Sequence, residues 1–294
     1  MTVAHATEWR LGNGKVLSLD PFVLMAIINA TPDSFSDGGQ FAEPSLGAAR
    51  ALHLVEEGAT IVDIGGESTR PGADRVIAVD QIKRTCELIR RVRLTSDVAI
   101  SIDTTLAGVA EAALEAGADA VNDVSAGVDD PGMFALVARR RCGIVLMHRV
   151  VPPDVDQYSS EYAAPRITGD VVRAVSNWLL ARVDMALGSG IERDSIAIDP
   201  GLGFGKTVDQ NFELIARAAE IADLGFPVVF GASRKSFIGT ATGRTHPLER
   251  VTGSVVAACA VSAALPAIIR THDVTATRDG LRVLKAVMAH QSLA

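Results

Sequence analysis

Short apolar, β-branched runs alternate along the chain with longer Ala-, Leu-, Glu- and Arg-rich stretches of helical period, a pattern that predicts βαβ units and a parallel sheet. The runs are "VLMAIIN" (23–29), "TIVDIGG" (60–66), "VAISIDT" (98–104), "DAVNDVS" (119–125), "GIVLMH" (143–148), "SIAIDPG" (195–201), "PVVFGAS" (227–233) and "AIIRTHD" (267–273). Their near-continuous apolar character suits strands buried on both faces. Between them lie helical stretches such as "EPSLGAARALHLVEEG", "LAGVAEAALEAG" and "VTATRDGLRVLKAVMA". Several close on a glycine, at Gly58, Gly117 and Gly190, where a left-handed residue is expected just past a helix end. Eight strands, each followed by a helix, predict a (β/α)8 TIM barrel in one domain spanning 1–294. A doubly wound open sheet is the runner-up, but it does not ordinarily need eight equal repeats. "WRLGNGKVLSL" (9–19) predicts a β-hairpin covering the barrel's N-terminal end. "RVVPPDVDQYSSEYAAPRI", with Pro152, Pro153 and Pro165, predicts a loop after the fifth strand.

Composition narrows the function classes. Lys and Arg total 28 against 35 Asp and Glu, a formal net charge of −7, so a broad electrostatic footprint for nucleic acid is not expected. Any anionic ligand must be held by locally gathered cations. Cys86, Cys142 and Cys259 are far apart and form no CxxC pair, which argues against a disulfide framework or a structural zinc site and fits a reducing cytoplasm. No apolar run reaches the roughly 18 residues of a membrane span, and the N-terminus lacks a signal-peptide pattern, so a soluble, unexported protein is expected.

In a TIM barrel the active site lies at the C-terminal strand ends. Those ends carry Asn29; Asp63 and Glu67; Asp103; Asn122 and Asp123; His148; Asp199; Ser233, Arg234 and Lys235; and Arg270, His272 and Asp273. A single Asp or Asn at such a place ordinarily caps the next helix or satisfies a turn. Eight polar ends together are hard to explain by capping alone. Asp, Asn, Asp and Lys on four strands make a donor and acceptor set suited to a flat, hydrogen-bond-rich heterocycle. Arg70, Arg234, Arg270 and His272 supply cations for a phosphate or carboxylate. "GLGFGK" (201–206) is a weak match to a dinucleotide fingerprint and follows the sixth strand instead of the first, which argues against NAD. A mobile loop placing Phe204 at the pocket mouth is the better expectation.

The stretches "NATPDSFSDGG", "DIGGESTRPGA", "SIDTT", "GADAVNDVSAG", "LMH", "IDPGLGFGK", "GASRKSFIG", "ERVTGS" and "RTHDV" run nearly end to end and in order. In these the sequence closely resembles the dihydropteroate synthase family, the folate-pathway enzymes that sulfonamides target. The resemblance implies condensation of 6-hydroxymethyl-7,8-dihydropterin diphosphate with 4-aminobenzoate to give 7,8-dihydropteroate and diphosphate. Carried over residue by residue, it implies a pterin pocket of Asp103, Asn122, Met147, Asp199 and Lys235. Asn29 is implied as the ligand of Mg2+ and, with Arg70, Arg270 and His272, as a holder of diphosphate. Thr69, Pro71, Phe204, Arg234 and Ser236 are implied around the aminobenzoate. Asp103, Asp199, Lys235, Arg270 and His272 would carry the chemistry. The loops "TPDSFSDGG", with Asp33, Ser34, Phe35 and Asp37, and "GGESTRPGA" are implied as lids, for which their Gly and Pro content is suited. A homodimer and sulfonamide sensitivity are implied too.

An arylamine is neutral near pH 7 and needs no general base, so the lack of a Ser-His-Asp or Cys-His set is expected. Departure of the diphosphate is the hard step, which predicts a largely dissociative substitution at the pterin methylene. The chain departs from the family's usual pattern at "RVVPPDVDQYSSEY", leaving that loop's contacts unassigned, and at Leu265-Pro266 and Thr271. Two rivals remain: a methyltetrahydrofolate-dependent methyltransferase barrel, disfavoured by Arg70, Arg270 and His272, and a catalytically silent pterin-binding paralogue.

Overall fold

The computed structural model describes residues 5–20, 22–30 and 44–291. Two short antiparallel strands, β1 (Glu8–Arg10) and β2 (Val16–Ser18), precede the barrel. The barrel strands are β3 (Val23–Asn29), β4 (Ile61–Gly65), β5 (Ala99–Asp103), β6 (Ala120–Asp123), β7 (Gly143–Met147), β8 (Ile196–Asp199), β9 (Val229–Phe230) and β10 (Ile268–Thr271). They form one parallel sheet of eight strands in the order β8-β7-β6-β5-β4-β3-β10-β9. A parallel bridge between Ile198 and Val228 joins its two edges. The expected (β/α)8 architecture is therefore present, with its thinnest seam at β9.

The helices are α1 (Pro44–Glu56), α2 (Ala78–Thr95), α3 (Ala107–Ala116), α4 (Gly132–Arg140), α5 (Val171–Gly188), α6 (Val208–Ala216), α7 (Ala218–Ala222), α8 (Ser236–Thr242), α9 (Val251–Ser262) and α10 (Val274–Gln291). The expected single helix per strand fails twice among the described residues. After β8 the helix breaks at Arg217 (φ −108°, ψ 27°) into α6 and α7, and β9 is followed by both α8 and α9. Gly117 ends α3 as expected, in the left-handed region at φ 115°, its N–H donated to the carbonyls of Ala113 and Leu114.

Within the apolar runs, side chains still alternate with period two. Leu24, Ala26, Ile28, Val62, Ile64 and Ile100 point out into the layer between sheet and helices. Val23, Met25, Ile61, Ala99, Val145 and Ala197 point inward and fill the lower barrel. Five of the inward rows then change character one or two steps nearer the C-terminal end, while β7 continues to the apolar Met147. Ile61 gives way to Asp63, Ala99 to Ser101 and Asp103, Ala120 to Asn122, Ala197 to Asp199 and Ile268 to Arg270. One barrel interior is thus apolar below and polar above.

The hairpin seals the apolar end. Trp9, Leu11 and Leu19 are fully or almost fully buried against the inward residues of the lower barrel, and the indole N–H of Trp9 donates to Ser195 O at 3.0 Å. Burial of each such side chain contributes about 1.5–3 kcal/mol. Asn13 and Gly14, at φ 58° and 74°, form the tip of the turn.

Candidate active site

The floor of the C-terminal mouth is a network centred on Asp63. This fully buried carboxylate accepts from Ser101 Oγ at 2.6 Å, Asn122 Nδ2 at 3.0 Å and Arg270 Nε at 2.7 Å. The second arm of the same guanidinium donates to Asp103 Oδ2 at 2.8 Å. Arg270 therefore bridges two carboxylates through separate nitrogens, a geometry its planar fork allows and a lysine could not match. Asp63 lay among the polar strand ends in the sequence but received no role; it sets the orientation of Asn122 and Arg270.

Burial dominates the electrostatics. It pushes the Asp103 carboxyl up to about 7, because the opposing pull of Arg270 is weakened by Asp63, Glu67 and Asp123 nearby. Asp199 is likewise raised by burial, against a hydrogen bond from Gly201 N at 2.6 Å and the charges of Lys235 and Arg270. Burial lowers Lys235 to about 8, opposed by Asp199. Its ammonium donates to Leu202 O at 2.5 Å and lies 4.1 Å from the centre of the Phe204 ring. Met147 joins Val124 and Phe204 in a small apolar patch beside these charges. Hydrogen-bonding groups at the floor and an apolar wall together suit a flat polar heterocycle.

Above the floor opens a cavity of about 900 Å³. Asn29, Thr69, Arg70, Pro71, Phe204, Arg234, Lys235, Ser236, Arg270 and His272 line it, so the residues expected around diphosphate and aminobenzoate share one space. Arg70 is exposed, and its guanidinium has no side-chain partner among the described residues. Arg234 is different: Nε and Nη2 donate to the two Asp273 oxygens at 2.9 and 2.5 Å. Its backbone is held at φ 59°, a conformation that costs a non-glycine residue energy and is kept here by Ser254 Oγ, which accepts from Arg234 N, and by Arg250, which donates to Arg234 O.

His272 corrects an expectation. Burial, followed by the charges of Arg234, Arg270, Arg70 and Lys235, lowers it to about 3, so it enters the site as a neutral ring and not as a cation. Ser233 Oγ accepts from the His272 backbone N–H at 3.1 Å and lies 3.0 Å from Nδ1. We assign the hydroxyl proton to Nδ1, which leaves the ring proton on Nε2.

Some polar strand ends serve the fold instead. Asp123 accepts from Ser125 N, Ser125 Oγ and Gly127 N and closes a turn. Glu67 accepts from Val76 N, Arg75 and Gln81 and holds the loop that carries Thr69 to Pro71. His148 packs edge-on against Trp178 with Nδ1 unpartnered, and burial lowers it to about 2. Asp33, Ser34, Phe35 and Asp37 lie outside the described residues.

The "GLGFGK" loop presents Phe204 to the cavity, but it is tied down where mobility was expected. Lys206, fully buried, donates to the carbonyls of His148, Gly201 and Phe204 at 3.3, 2.7 and 3.0 Å. The local signal for Lys206 was only its place at the end of a glycine-rich stretch. Gly201, at φ 67°, passes so close to His148 that a Cβ there would lie 1.9 Å from its carbonyl oxygen, which leaves room for glycine alone.

Among the described residues no three His, Cys, Asp or Glu side chains gather as a metal site. Mg2+ commonly takes only one or two protein oxygens, the rest coming from water and substrate phosphates. Asn29, whose side chain lines the cavity at the end of β3, fits that sparse requirement.

Comparison with known proteins agrees with this geometry. A family model described as pterin binding enzyme matches residues 25–272. The dihydropteroate synthase of Synechocystis sp. is 41% identical over 264 residues, covering 90% of this chain and 89% of that protein. Xanthomonas albilineans dihydropteroate synthase solved with 4-aminobenzoic acid superposes with a TM-score of 0.87 at 40% identity, over 96% of this chain and 99% of that one. The Yersinia pestis enzyme in a sulfonamide drug complex also gives a TM-score of 0.87, at 32% identity over 97% of this chain and 100% of that one. With the family model, the relative and the folds in agreement, the chain belongs to the pterin-binding enzymes as a member of the dihydropteroate synthase family.

Proposed function

We propose that the barrel mouth joins the methylene carbon of 6-hydroxymethyl-7,8-dihydropterin diphosphate to the amino nitrogen of 4-aminobenzoate. A C–N bond forms, the C–O bond to diphosphate breaks, and the amine loses one proton; the products are 7,8-dihydropteroate and diphosphate. The observation that carries this reading is the convergence of Asp103, Asn122, Asp199 and Lys235 beneath a cavity lined by Arg70, Phe204 and Ser236. Asp103 and Asp199 accept the N–H groups of the pterin, Asn122 and Lys235 serve its acceptors, and Met147 lies against the ring. Arg70, Arg270 and the Nε2–H of His272 face the diphosphate. Thr69, Pro71, Phe204, Arg234 and Ser236, which line one cavity, surround the aminobenzoate, the acid with which a neighbour of 40% identity was solved.

Asn29 would hold Mg2+, which supplies neutralisation of the leaving diphosphate. The buried carboxylates favour positive charge developing on the pterin as the leaving group departs, so the substitution is largely dissociative. The 66–73 loop, which brings Thr69, Arg70 and Pro71 to the cavity, serves as a lid. The chain works as a homodimer in the cytoplasm. The exposed apolar side chains of Val256 on α9 and Val283 and Val287 on α10 support association, and three unpaired cysteines suit a reducing compartment.

Diphosphate release is followed with the pterin diphosphate and Mg2+ while 4-aminobenzoate is varied. Saturable dependence on aminobenzoate, with competitive inhibition by a sulfonamide, is the expected result. Pterin binding without release would mark a silent paralogue, and turnover untouched by high sulfonamide would remove the assignment of the aminobenzoate site.

A further inference from the structure

The segment after β7 does more than connect. Residues 149–166 run across the cavity rim, and Tyr158 and Ser160 line the same cavity as Phe204 and Ser236. Three bonds tie this strap to the chain segments placed around the aminobenzoate. Pro153 O accepts from Gly72 N at 2.9 Å, Asp156 Oδ2 accepts from Gly205 N at 3.0 Å, and Ser159 N donates to Ser236 Oγ at 3.2 Å. A fourth link is indirect: Asn211 donates to Ser159 Oγ at 3.1 Å while its Oδ1 accepts from Gly203 N at 2.6 Å.

Asp156 is the strap's anchor. It is buried, and its Oδ1 accepts from Gln157 N and from the hydroxyl of Tyr162, so its Oδ2 is aimed at Gly205 by bonds from its own segment. Gly205, at φ 71°, allows a close approach: a Cβ there would lie 2.4 Å from Val150 Cβ. Phe204 immediately precedes that glycine, and its ring in turn faces the Lys235 ammonium.

We propose that Asp156 is a positioning residue for the second substrate, holding Phe204 through Gly205 so that the arylamine site has its shape before the amine arrives. The proposal rests on the functional reading above. Asp156 acts on the wall at Phe204, and its carboxylate bonds only to Gln157, Tyr162 and Gly205 among the described residues, not to the floor built from β4, β5, β6, β8 and β10. Preorganised walls act chiefly on binding of the group they enclose, so the effect falls on one KM and not on both.

The test is steady-state kinetics on the wild type, Asp156→Ala, Asp156→Asn and Tyr162→Phe, with thermal melting as a check of folding. Asp156→Ala raises KM for 4-aminobenzoate roughly tenfold, the scale of one lost buried hydrogen bond. The KM for pterin diphosphate and kcat stay within about twofold. Asp156→Asn, with its oxygen toward Gly205, keeps that bond but turns its amide against the Gln157 N–H, and so restores part of the loss. Should Asp156→Ala not fold, Tyr162→Phe gives a smaller shift in the same KM. A folded variant with unchanged aminobenzoate KM, or with both KM values rising together, overturns the inference while wild-type turnover keeps the functional reading intact. A wild type without aminobenzoate-dependent turnover overturns both.

Discussion

The two ends of the barrel each bury an aspartate, and the two are treated differently. At the sealed end Asp119 is fully buried and accepts from Asn13 Nδ2 at 2.9 Å, Lys15 Nζ at 3.0 Å, Arg93 Nη2 at 2.6 Å and Ile100 N at 3.0 Å. Two cations and two neutral donors satisfy it, and the bonds fasten hairpin, helix and sheet together. At the open end Asp103 is almost as buried but has one cation, Arg270, which it shares with Asp63. Burial, offset only in part by that shared cation, raises its carboxyl to about 7. A satisfied buried charge stabilises a fold, whereas an undersatisfied one is left for a ligand to complete.

The largest effects expected from breaking this contrast lie at the sealed end. Trp9→Ala removes the plug of the lower barrel and costs about 3–5 kcal/mol in urea unfolding. Asp119→Ala strands Arg93 and Lys15; because both are about a quarter exposed and can turn to water, the loss should fall near the lower end of the roughly 3–5 kcal/mol for a broken buried pair. In both variants the folded fraction keeps its KM values. A changed pterin KM with unchanged stability would mean that the two ends are not separate in role.

A smaller effect sharpens the contrast through pH. Pterin N–H donors favour the Asp103 carboxylate, so binding below about pH 7 releases a proton, and affinity rises with pH by up to about tenfold per unit until it levels near 7. Calorimetry in buffers of different ionisation heat reads this directly, and buffer-independent heats with a flat affinity would refute it. The smallest effect is at the surface. Arg10 pairs with Glu192 and Asp194 at 3.0 and 2.9 Å, yet all three side chains are about half exposed, so Arg10→Ala should cost no more than about 1 kcal/mol.

The fold was legible because strand, helix and glycine signals repeat locally. The exceptions are physical. Nothing near Arg217 marks the break between α6 and α7, and the stretch 227–233 reads as a full strand while only Val229 and Phe230 pair as one. The candidate site was legible as a set of polar strand ends, since a period of two carries each inward row to the mouth. What the sequence could not show was which polar end faces inward. Asp123 and Asn122 are neighbours, but one closes a turn and the other joins the floor. Nor could it show that His272 is buried deeply enough to stay neutral beside those cations, or that Asp156, whose local sequence carries no motif, reaches Gly205. Those facts depend on contacts between distant segments.

The most direct measurement takes Asp103→Asn and records aminobenzoate-dependent turnover and thermal unfolding at pH 8 on the same preparation. Between about pH 4 and 7 the folded chain holds the Asp103 proton that the unfolded chain has lost, so stability falls as pH rises through that window and the cost is complete above it. Turnover is expected to fall by at least about 100-fold, with an unfolding midpoint unchanged or higher. A lower midpoint with turnover retained in the remaining folded protein would contradict this expectation.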